Sequence, residues 1–264
     1  MKTIRTDIVG GAVRRIVETK DGLAGVVIKD DTMSTPIRGD NPEAIWAALE
    51  QQLDRSGRNY IGMDGAIARF LRVFPQGYED PAYLAKERDY KVVASEFLRR
   101  ELPVEAALDA DATACAAAAR AFGKTNLLSP FEQSRVREVL KGPAGPAFVR
   151  AAARLAVGDL AALDGMAEAL KPSGAATWPV MTYLPLLWSP ETHVFLKPTV
   201  TLAFAERVGH RFPRDYAGEN RAVVYRGLLD LRTETLGGLA SLTPRDGIDL
   251  QGFIWVVGAY DDKS

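Results

Sequence analysis

The sequence predicts an α+β fold, in which a small N-terminal antiparallel sheet precedes a predominantly helical body. Two observations carry this prediction. β-branched runs separated by Gly-Gly and Asp-Gly occupy the chain up to Gly39, and helix starts led by proline recur after it. We expect two modules: residues 1–58 with the sheet and one helix, and residues 59–264 with the helical body and a candidate sub-boundary near Gly174.

The predicted strands are the runs TIRTDIVGG, AVRRIVETKDG and LAGVVIKDDTM. Asp21-Gly22 lies between the second and third runs and is a strong hairpin signal, because this pair accepts the left-handed backbone of a tight turn. Gly10-Gly11 separates the first two runs in the same way. The N-terminal segment is therefore predicted to be a small antiparallel sheet.

Five helix starts are predicted by a capping residue followed by proline, which presets the backbone of the first helical position. They are Asn41-Pro42, Asp80-Pro81, Ser129-Pro130, Ser189-Pro190 and Thr243-Pro244. Ser129 with Glu132, and Thr243 with Asp246, also resemble capping boxes. Ser189-Pro190 opens either a helix or only a turn. Apolar periodicity predicts helices at 42–55, 63–73, 81–101, 104–122, 130–141, 145–157, 159–170, 198–208, 219–236 and 244–257.

Composition indicates an ordinary globular protein: the 264 residues are 47% hydrophobic, and 33 basic against 34 acidic residues give a net charge of −1. This balance does not indicate a protein that coats nucleic acid. The single Cys115 excludes an intrachain disulfide framework and a multi-cysteine metal cluster. With no apolar run of signal-peptide or membrane-spanning length, we expect a cytoplasmic protein without a membrane partner.

Two motifs imitate catalytic sites. AARAFGKTN fits a relaxed phosphate-loop pattern, but an alanine-rich helix precedes it, so Gly123 is better interpreted as a helix C-cap with Lys124 beside the last carbonyls. EDPAYLAKERDYK contains the residue types of a metal-dependent nuclease, yet it is capped and helical, and its Glu87 and Lys91 form an i, i+4 pair typical of a helix surface. Neither motif is taken as a site.

The candidate binding residues come from the stretch TWPVMTYLPLLWSPETHVFLKPTV and from the last predicted helix. So many aromatic and proline residues belong mainly to the core, and a lone histidine there is usually a hydrogen-bonded structural residue. His210 is interpreted as a solvated loop residue. Asp249 is expected to pair with either Lys197 or Arg245. The candidate set is Trp178, Tyr183, His193, Lys197, Asp249, Gln251 and Trp255.

The same blocks resemble a widespread family of uncharacterised bacterial proteins, with Trp-Pro-x-x-Thr-Tyr, His-x-Phe-Leu-Lys-Pro and Asp-x-Ile-Asp-x-Gln-x-Phe-Ile-Trp-Val motifs. The likeness extends to FLRVFPQGYEDPAYLAKERDYKVVA and KTNLLSPFEQSRVREVL, and so covers most of the chain after Asn59. It adds Thr182 to the candidate set and implies no activity. Gly252 stands where the family usually has serine. The closing block is also similar to segments of bacterial restriction-type proteins, which favours nucleic-acid or defence biology.

We therefore expect a non-enzymatic binding or adaptor protein, without cofactor or metal, whose aromatic-lined recess near His193 and Lys197 recognises nucleic acid or a protein partner. Lys197 and four arginines are either phosphate contacts or a solvated face: Arg69, Arg72, Arg99 and Arg100. The alternative is a metal-dependent hydrolase or nuclease using Asp246, Asp249 and Lys197. A third hypothesis is a homo-oligomer that associates through the alanine-rich helix.

Overall fold

The computed structural model describes residues 2–9, 12–29, 31–57, 59–218 and 220–260. The chain divides into two compact units. Unit 1 consists of Met1–Gly62 and Ala205–Arg211, and unit 2 consists of Met63–Phe204 and Phe212–Ser264.

Unit 1 contains an antiparallel sheet whose strands are β1 (Lys2–Val9), β2 (Ala12–Thr19), β3 (Gly22–Lys29), β4 (Thr32–Met33) and β5 (Ile37–Gly39). The strand order is β1-β2-β3-β4, and β5 also pairs with β3. Gly22 has φ +107 in the predicted hairpin turn, which glycine adopts without strain. The other predicted turn, Gly10-Gly11, lies outside the described residues. The predicted N-terminal sheet is confirmed.

Helix α1 (Pro42–Asp54) packs against this sheet through Ile45, Trp46 and Leu49. Asn41 caps it by accepting hydrogen bonds from the amides of Glu43 and Ala44, as its sequence predicts. The approach of helix to sheet requires glycine at position 25, because a Cβ there would lie 2.4 Å from Ile45 Cγ2. The small hydrophobic core of unit 1 thus lies between helix α1 and one face of the sheet.

The helices after α1 are α2 (Gly62–Val73), α3 (Pro81–Tyr83), α4 (Asp89–Glu101), α5 (Val104–Ala107), α6 (Ala112–Phe122), α7 (Pro130–Lys141), α8 (Gly145–Ala156), α9 (Ala162–Leu170), α10 (Trp178–Trp188), α11 (Pro198–Val208), α12 (Phe212–Tyr216), α13 (Arg221–Gly238) and α14 (Gly247–Ala259). A π-helical turn, Leu84–Arg88, joins α3 to α4. The fold class predicted from the sequence, α+β with helices dominating, is confirmed.

The other four predicted helix starts have different outcomes. Asp80 and Ser129 cap α3 and α7, and Ser129 forms the predicted capping box with Glu132. Ser189-Pro190 opens only a turn. The prediction of a start at Thr243 was wrong: α14 begins at Gly247, and Asp246 is its N-cap. Thr243 instead has φ +50, a left-handed backbone outside the extended conformation that an N-cap needs.

Other boundaries also differ from the prediction. The helix expected over 81–101 is interrupted by the π-helical turn, and the helix expected over 104–122 is divided into α5 and α6. Two helices, α10 and α12, were missed. Residues 193–197, which precede Pro198, have no regular secondary structure. Among the described residues, none of the helices combines the length and apolarity that crossing a membrane requires.

The alanine-rich helix α6 is a packed element of unit 2, in contact with α4, α7 and α8. Its small side chains permit close approach: a Cβ at Gly145, the first residue of α8, would lie 3.0 Å from Cys115 Sγ. Gly123 ends α6 as the predicted C-cap. The small residues of α6 are therefore used for packing within the unit.

Candidate functional site

The aromatic stretch that suggested a binding site forms core instead. Tyr183 is fully buried on α10, and its hydroxyl donates to Ala121 O at 2.8 Å and accepts from Thr125 Oγ1 at 2.9 Å. Thr182 is also buried, where its hydroxyl donates to Trp178 O and accepts the Leu196 amide. These side chains hold α10 in place and have no free polar group to offer a ligand.

His193 is a structural histidine, as its sequence context predicted. It is buried, with Ala156 O 3.0 Å from Nε2 and Tyr225 Oη 2.6 Å from Nδ1. The carbonyl requires a proton on Nε2, so Nδ1 accepts from the Tyr225 hydroxyl. Burial lowers the pKa of His193 below its ordinary value, and the nearby Arg232 adds to this effect while the bond to Ala156 opposes it.

Asp249 lies at the centre of a buried charge network in unit 2. It has no exposed surface and accepts from Arg245 Nε at 2.7 Å, Arg88 Nη1 at 2.9 Å and the Tyr83 hydroxyl at 2.8 Å. Arg88 also binds Asp246 at 2.8 Å. Of the two partners predicted for Asp249, the structure therefore selects Arg245. Burial acts to raise the pKa of Asp246, but the bonds from Arg88 and the helix amides outweigh burial and keep that pKa low.

The Glu87–Lys91 pair was predicted to lie on a helix surface, and this prediction was wrong. Lys91 is 1% exposed and Glu87 is 6% exposed, with 3.3 Å between Nζ and Oε2. The Tyr260 hydroxyl donates to the other carboxylate oxygen at 2.7 Å. Burial lowers the pKa of Lys91 although Glu87 favours the charged form. Helical spacing brought the two charges together, but packing of other elements covered them.

His210, in unit 1, was predicted to be solvated and is buried instead. The chain turns back after α11 through Gly209 at φ +74, and the His210 amide donates to Ala205 O at 2.9 Å. This helix-terminating turn brings the histidine inward rather than into a loop.

An open cavity of about 660 Å³ lies in unit 2 and is the candidate site, which we call the Lys197–Trp255 recess. It is lined by Tyr90, Gly123, Lys124, Thr125, Asn126, Leu127, Leu128, Ser129, Pro130, Gln133, Lys197 and Trp255. The lining combines two lysines, two aromatic rings, side-chain amides and hydroxyls, and the loop between α6 and α7. It can therefore offer positive charge, hydrogen bonds and a flat apolar surface to one ligand.

Lys197 is held in the recess by an ion pair. Its Nζ is 3.3 Å from Glu132 Oε2, and the side chains of Lys197 and Glu132 are 25% and 17% exposed. Burial would raise the pKa of Glu132, but hydrogen bonds from Ser129 and the charge of Lys197 lower it further than burial raises it. The carboxylate is fixed by the α7 capping box, so it anchors the lysine without filling the recess.

Of the candidate residues, Lys197 and Trp255 come together at the recess, whereas Tyr183, His193 and Asp249 are held in the packed interior and Trp178 is partly exposed at the start of α10. Gln251 is fully buried on α14, one turn before Trp255, and neither its amide nitrogen nor its amide oxygen has a hydrogen-bond partner among the described residues. Tyr90 and Lys124 also line the recess but were not among the predicted site residues. Lys124 belongs to the relaxed phosphate-loop pattern in the sequence, which could have drawn attention to it. A phosphate loop follows a strand, however, and Lys124 follows helix α6.

The four candidate arginines are engaged elsewhere to different degrees. Arg69 donates to Tyr260 O, and Arg99 donates to Trp188 O at 2.9 Å and binds Glu191 at 3.1 Å. Arg100 binds its neighbour Glu101 at 3.1 Å and remains 68% exposed. Arg72 is exposed. The Arg100 side chain is thus more exposed to solvent than that of Arg99.

In the described part of the chain, no group of three or more histidine, cysteine, aspartate or glutamate side chains is arranged to hold a metal ion. The fold and site thus define an α+β, mainly helical protein with one lysine-bearing, aromatic-lined recess as its candidate site. No protein-family model matches the sequence, and no curated protein or solved structure matches it.

Proposed function

We propose that the protein is a non-enzymatic binding protein whose Lys197–Trp255 recess takes a nucleotide unit. The observation that carries this proposal is that Lys197 and Lys124 line the same open cavity as Trp255 and Tyr90. An ammonium group pairs with a phosphate as a compact point charge, and an indole or phenol ring packs against the face of a base. A nucleotide joins these two chemistries in one ligand.

The size of the recess supports this class of ligand. Its volume of about 660 Å³ falls within the range of about 300–1,000 Å³ for small-molecule and cofactor sites. The exposed loop side chain of Asn126 supplies a neutral hydrogen-bonding group to the lining. Such groups fix the orientation of a ligand rather than its charge.

The charge of the recess also supports an anionic ligand. Lys197 is neutralised in part by Glu132, whereas among the described residues no carboxylate pairs with Lys124. Lys124 is exposed, and its Nζ lies 4.1 Å from the centroid of the Phe97 ring. An ammonium group held over a ring keeps its charge available to a phosphate.

The hydrolase alternative has less support. Asp246 and Asp249 are both bound by Arg88, and Asp249 is also bound by Arg245, so their oxygens accept hydrogen bonds already. Lys197 pairs with Glu132 rather than with either aspartate. The guanidinium groups that already contact these oxygens repel a further positive charge, which opposes binding of a metal ion there.

The test is isothermal titration calorimetry of the purified protein with AMP, UMP and inorganic phosphate. We expect the nucleotides to bind more tightly than phosphate, and Lys197→Gln to weaken nucleotide binding about tenfold, since a hydrogen bond to a charged group is worth about 1.5–3 kcal/mol. Lys141→Gln is the matched control, because Lys141 ends the helix that begins at the recess and lies roughly 16 Å along its axis from Pro130.

Equal nucleotide affinity in Lys197→Gln and the wild type would contradict the proposal. Thermal unfolding of each variant, without ligand, separates loss of binding from loss of folding. The hydrolase alternative is tested in the same samples by adding Mg²⁺ or Mn²⁺ and labelled DNA and RNA. Strand cleavage that is lost in Asp249→Asn would favour that alternative over the binding function.

A further inference from the structure

The surface next to the recess carries exposed apolar side chains along helix α4. Tyr90 lines the recess, and Val93 and Phe97 follow it at i+3 and i+7, so all three lie on one face of the helix. Val93 is 57% exposed, and Phe97 is partly exposed. The row extends about 10 Å along the helix from Tyr90 to Phe97. It continues the aromatic lining of the recess onto the open surface.

Three cations surround the Phe97 ring at the far end of this row. Lys124 Nζ lies 4.1 Å from the ring centroid, and the guanidinium carbons of Arg100 and Arg120 both lie 5.8 Å from it. Lys124 also lines the recess, so it connects the two positions. Positive charge and aromatic surface are therefore interleaved from the recess to Phe97.

One carboxylate, that of Glu101, pairs with two of these three cations. Glu101 binds both Arg100 and Arg120, at 3.1 and 3.3 Å, so one negative charge is shared between two positive ones. Both arginines are more than half exposed, at 68% and 56%. A further guanidinium, that of Arg137, lies beside the loop, since a Cβ at Gly123 would be 3.1 Å from its Nη2. Around the Phe97 ring, three cations therefore face one paired carboxylate.

On the basis of the proposed function, we propose that the partner is single-stranded nucleic acid, bound along α4 with one nucleotide in the Lys197–Trp255 recess and a neighbouring one at Phe97. A basic surface with interleaved aromatic rings is what a single strand requires, because each base offers a face for stacking and each linkage carries a charge. A free nucleotide would use the recess alone. The second position distinguishes a strand from a free nucleotide.

The test uses fluorescence anisotropy with labelled oligothymidine and oligouridine, as a dinucleotide and as a decanucleotide, beside calorimetry with AMP. We expect the decanucleotides to bind at least tenfold more tightly than AMP. Phe97→Leu keeps the apolar bulk but removes the ring, so it should weaken decanucleotide binding about tenfold and weaken AMP binding much less, since AMP reaches Phe97 only through Lys124. Arg120→Gln should make the dependence of log affinity on log salt concentration less steep by about 0.7, the value for one phosphate contact.

Lys141→Gln serves again as the control for loss of a positive charge, and thermal unfolding checks each variant. The inference is overturned if decanucleotides bind no more tightly than AMP, or if Phe97→Leu leaves their affinity unchanged. It is also overturned if a duplex or polyglutamate binds as tightly as the single strand. If the strand inference fails but AMP binds to the wild type and not to Lys197→Gln, the proposed nucleotide-binding function still stands. If neither AMP nor any strand binds, both the proposed function and the strand inference are wrong.

Discussion

Two clusters of charged side chains in unit 2 differ in how completely their charges are matched. In the buried network, Asp249 has no exposed surface and accepts from two arginines and a tyrosine. In the Lys197–Trp255 recess, Lys124 is exposed and no carboxylate pairs with it within the described chain. A matched buried charge stabilises one fold, whereas an unmatched charge in an open cavity is available to a ligand. The buried Asp249 network is therefore expected to contribute to stability, and the Lys197–Trp255 recess to binding.

The largest effect is expected from breaking the buried network. Asp249→Ala leaves Arg88 and Arg245 without their shared carboxylate and the Tyr83 hydroxyl without its acceptor. We expect the free energy of unfolding, measured by urea denaturation, to fall by about 3–5 kcal/mol. The control Glu168→Ala removes an exposed carboxylate and should change it by less than about 0.5 kcal/mol. If Asp249→Ala changed the free energy of unfolding by as little as the control does, the network would not stabilise the fold.

The recess should respond in the opposite way. Trp255 lines the recess and is partly buried. Trp255→Leu therefore preserves apolar packing but removes the ring on which a base would stack. We expect nucleotide binding to weaken by a free energy of about 1–3 kcal/mol, with a smaller change in the free energy of unfolding. Calorimetry and denaturation of the same variant give both quantities. Loss of stability with unchanged affinity would place Trp255 with the core residues rather than with the site.

Gln251 sharpens the comparison, because it is as buried as Asp249 on the same helix but its amide has no hydrogen-bond partner in the part of the chain that the structure describes. An unsatisfied buried polar group costs about 1–3 kcal/mol, so replacing it by an apolar side chain of similar size removes that cost. We expect Gln251→Met to raise the free energy of unfolding by about 1 kcal/mol. A decrease would show that the amide is hydrogen-bonded in solution.

The smallest effect concerns pH. The pKa of His193 is lowered by burial, so between that lowered value and the ordinary value of 6.5 the unfolded chain binds more protons than the folded chain. The free energy of unfolding should therefore fall as the pH decreases below 6.5. His193→Gln should reduce this dependence, and His210 is common to both proteins. Identical pH profiles would indicate that His193 does not titrate differently on folding.

The sequence predicted those parts of the fold that depend on local signals. The β-branched runs with Asp21-Gly22 gave the sheet, and the caps Asn41, Asp80 and Ser129 gave three helix starts. Helix α10 was missed for a physical reason. Ten of its eleven residues are buried, so no polar face reveals the helical period, and Pro185 lies inside it. Apolar periodicity reveals a helix only when one of its faces contacts water, and almost no part of α10 does.

The site was harder to predict because it depends on tertiary packing. Lys197 and Trp255 were candidates from the sequence, but the loop with Lys124 and the helix with Tyr90 join them only in the folded chain. The remaining candidates were recognised as polar or aromatic groups near each other, a description that also fits a hydrogen-bonded core. Burial decides between the two roles, and a single sequence does not specify burial residue by residue.

The most direct test of the central claim is lysine acetylation read by mass spectrometry, with and without AMP. If the recess rather than the buried network holds the ligand, AMP should slow acetylation of Lys124 and Lys197. Exposed lysines outside the recess lining, Lys86 and Lys141, should react at the same rate in both samples. Unchanged rates at Lys124 and Lys197 while calorimetry shows AMP bound would contradict the account.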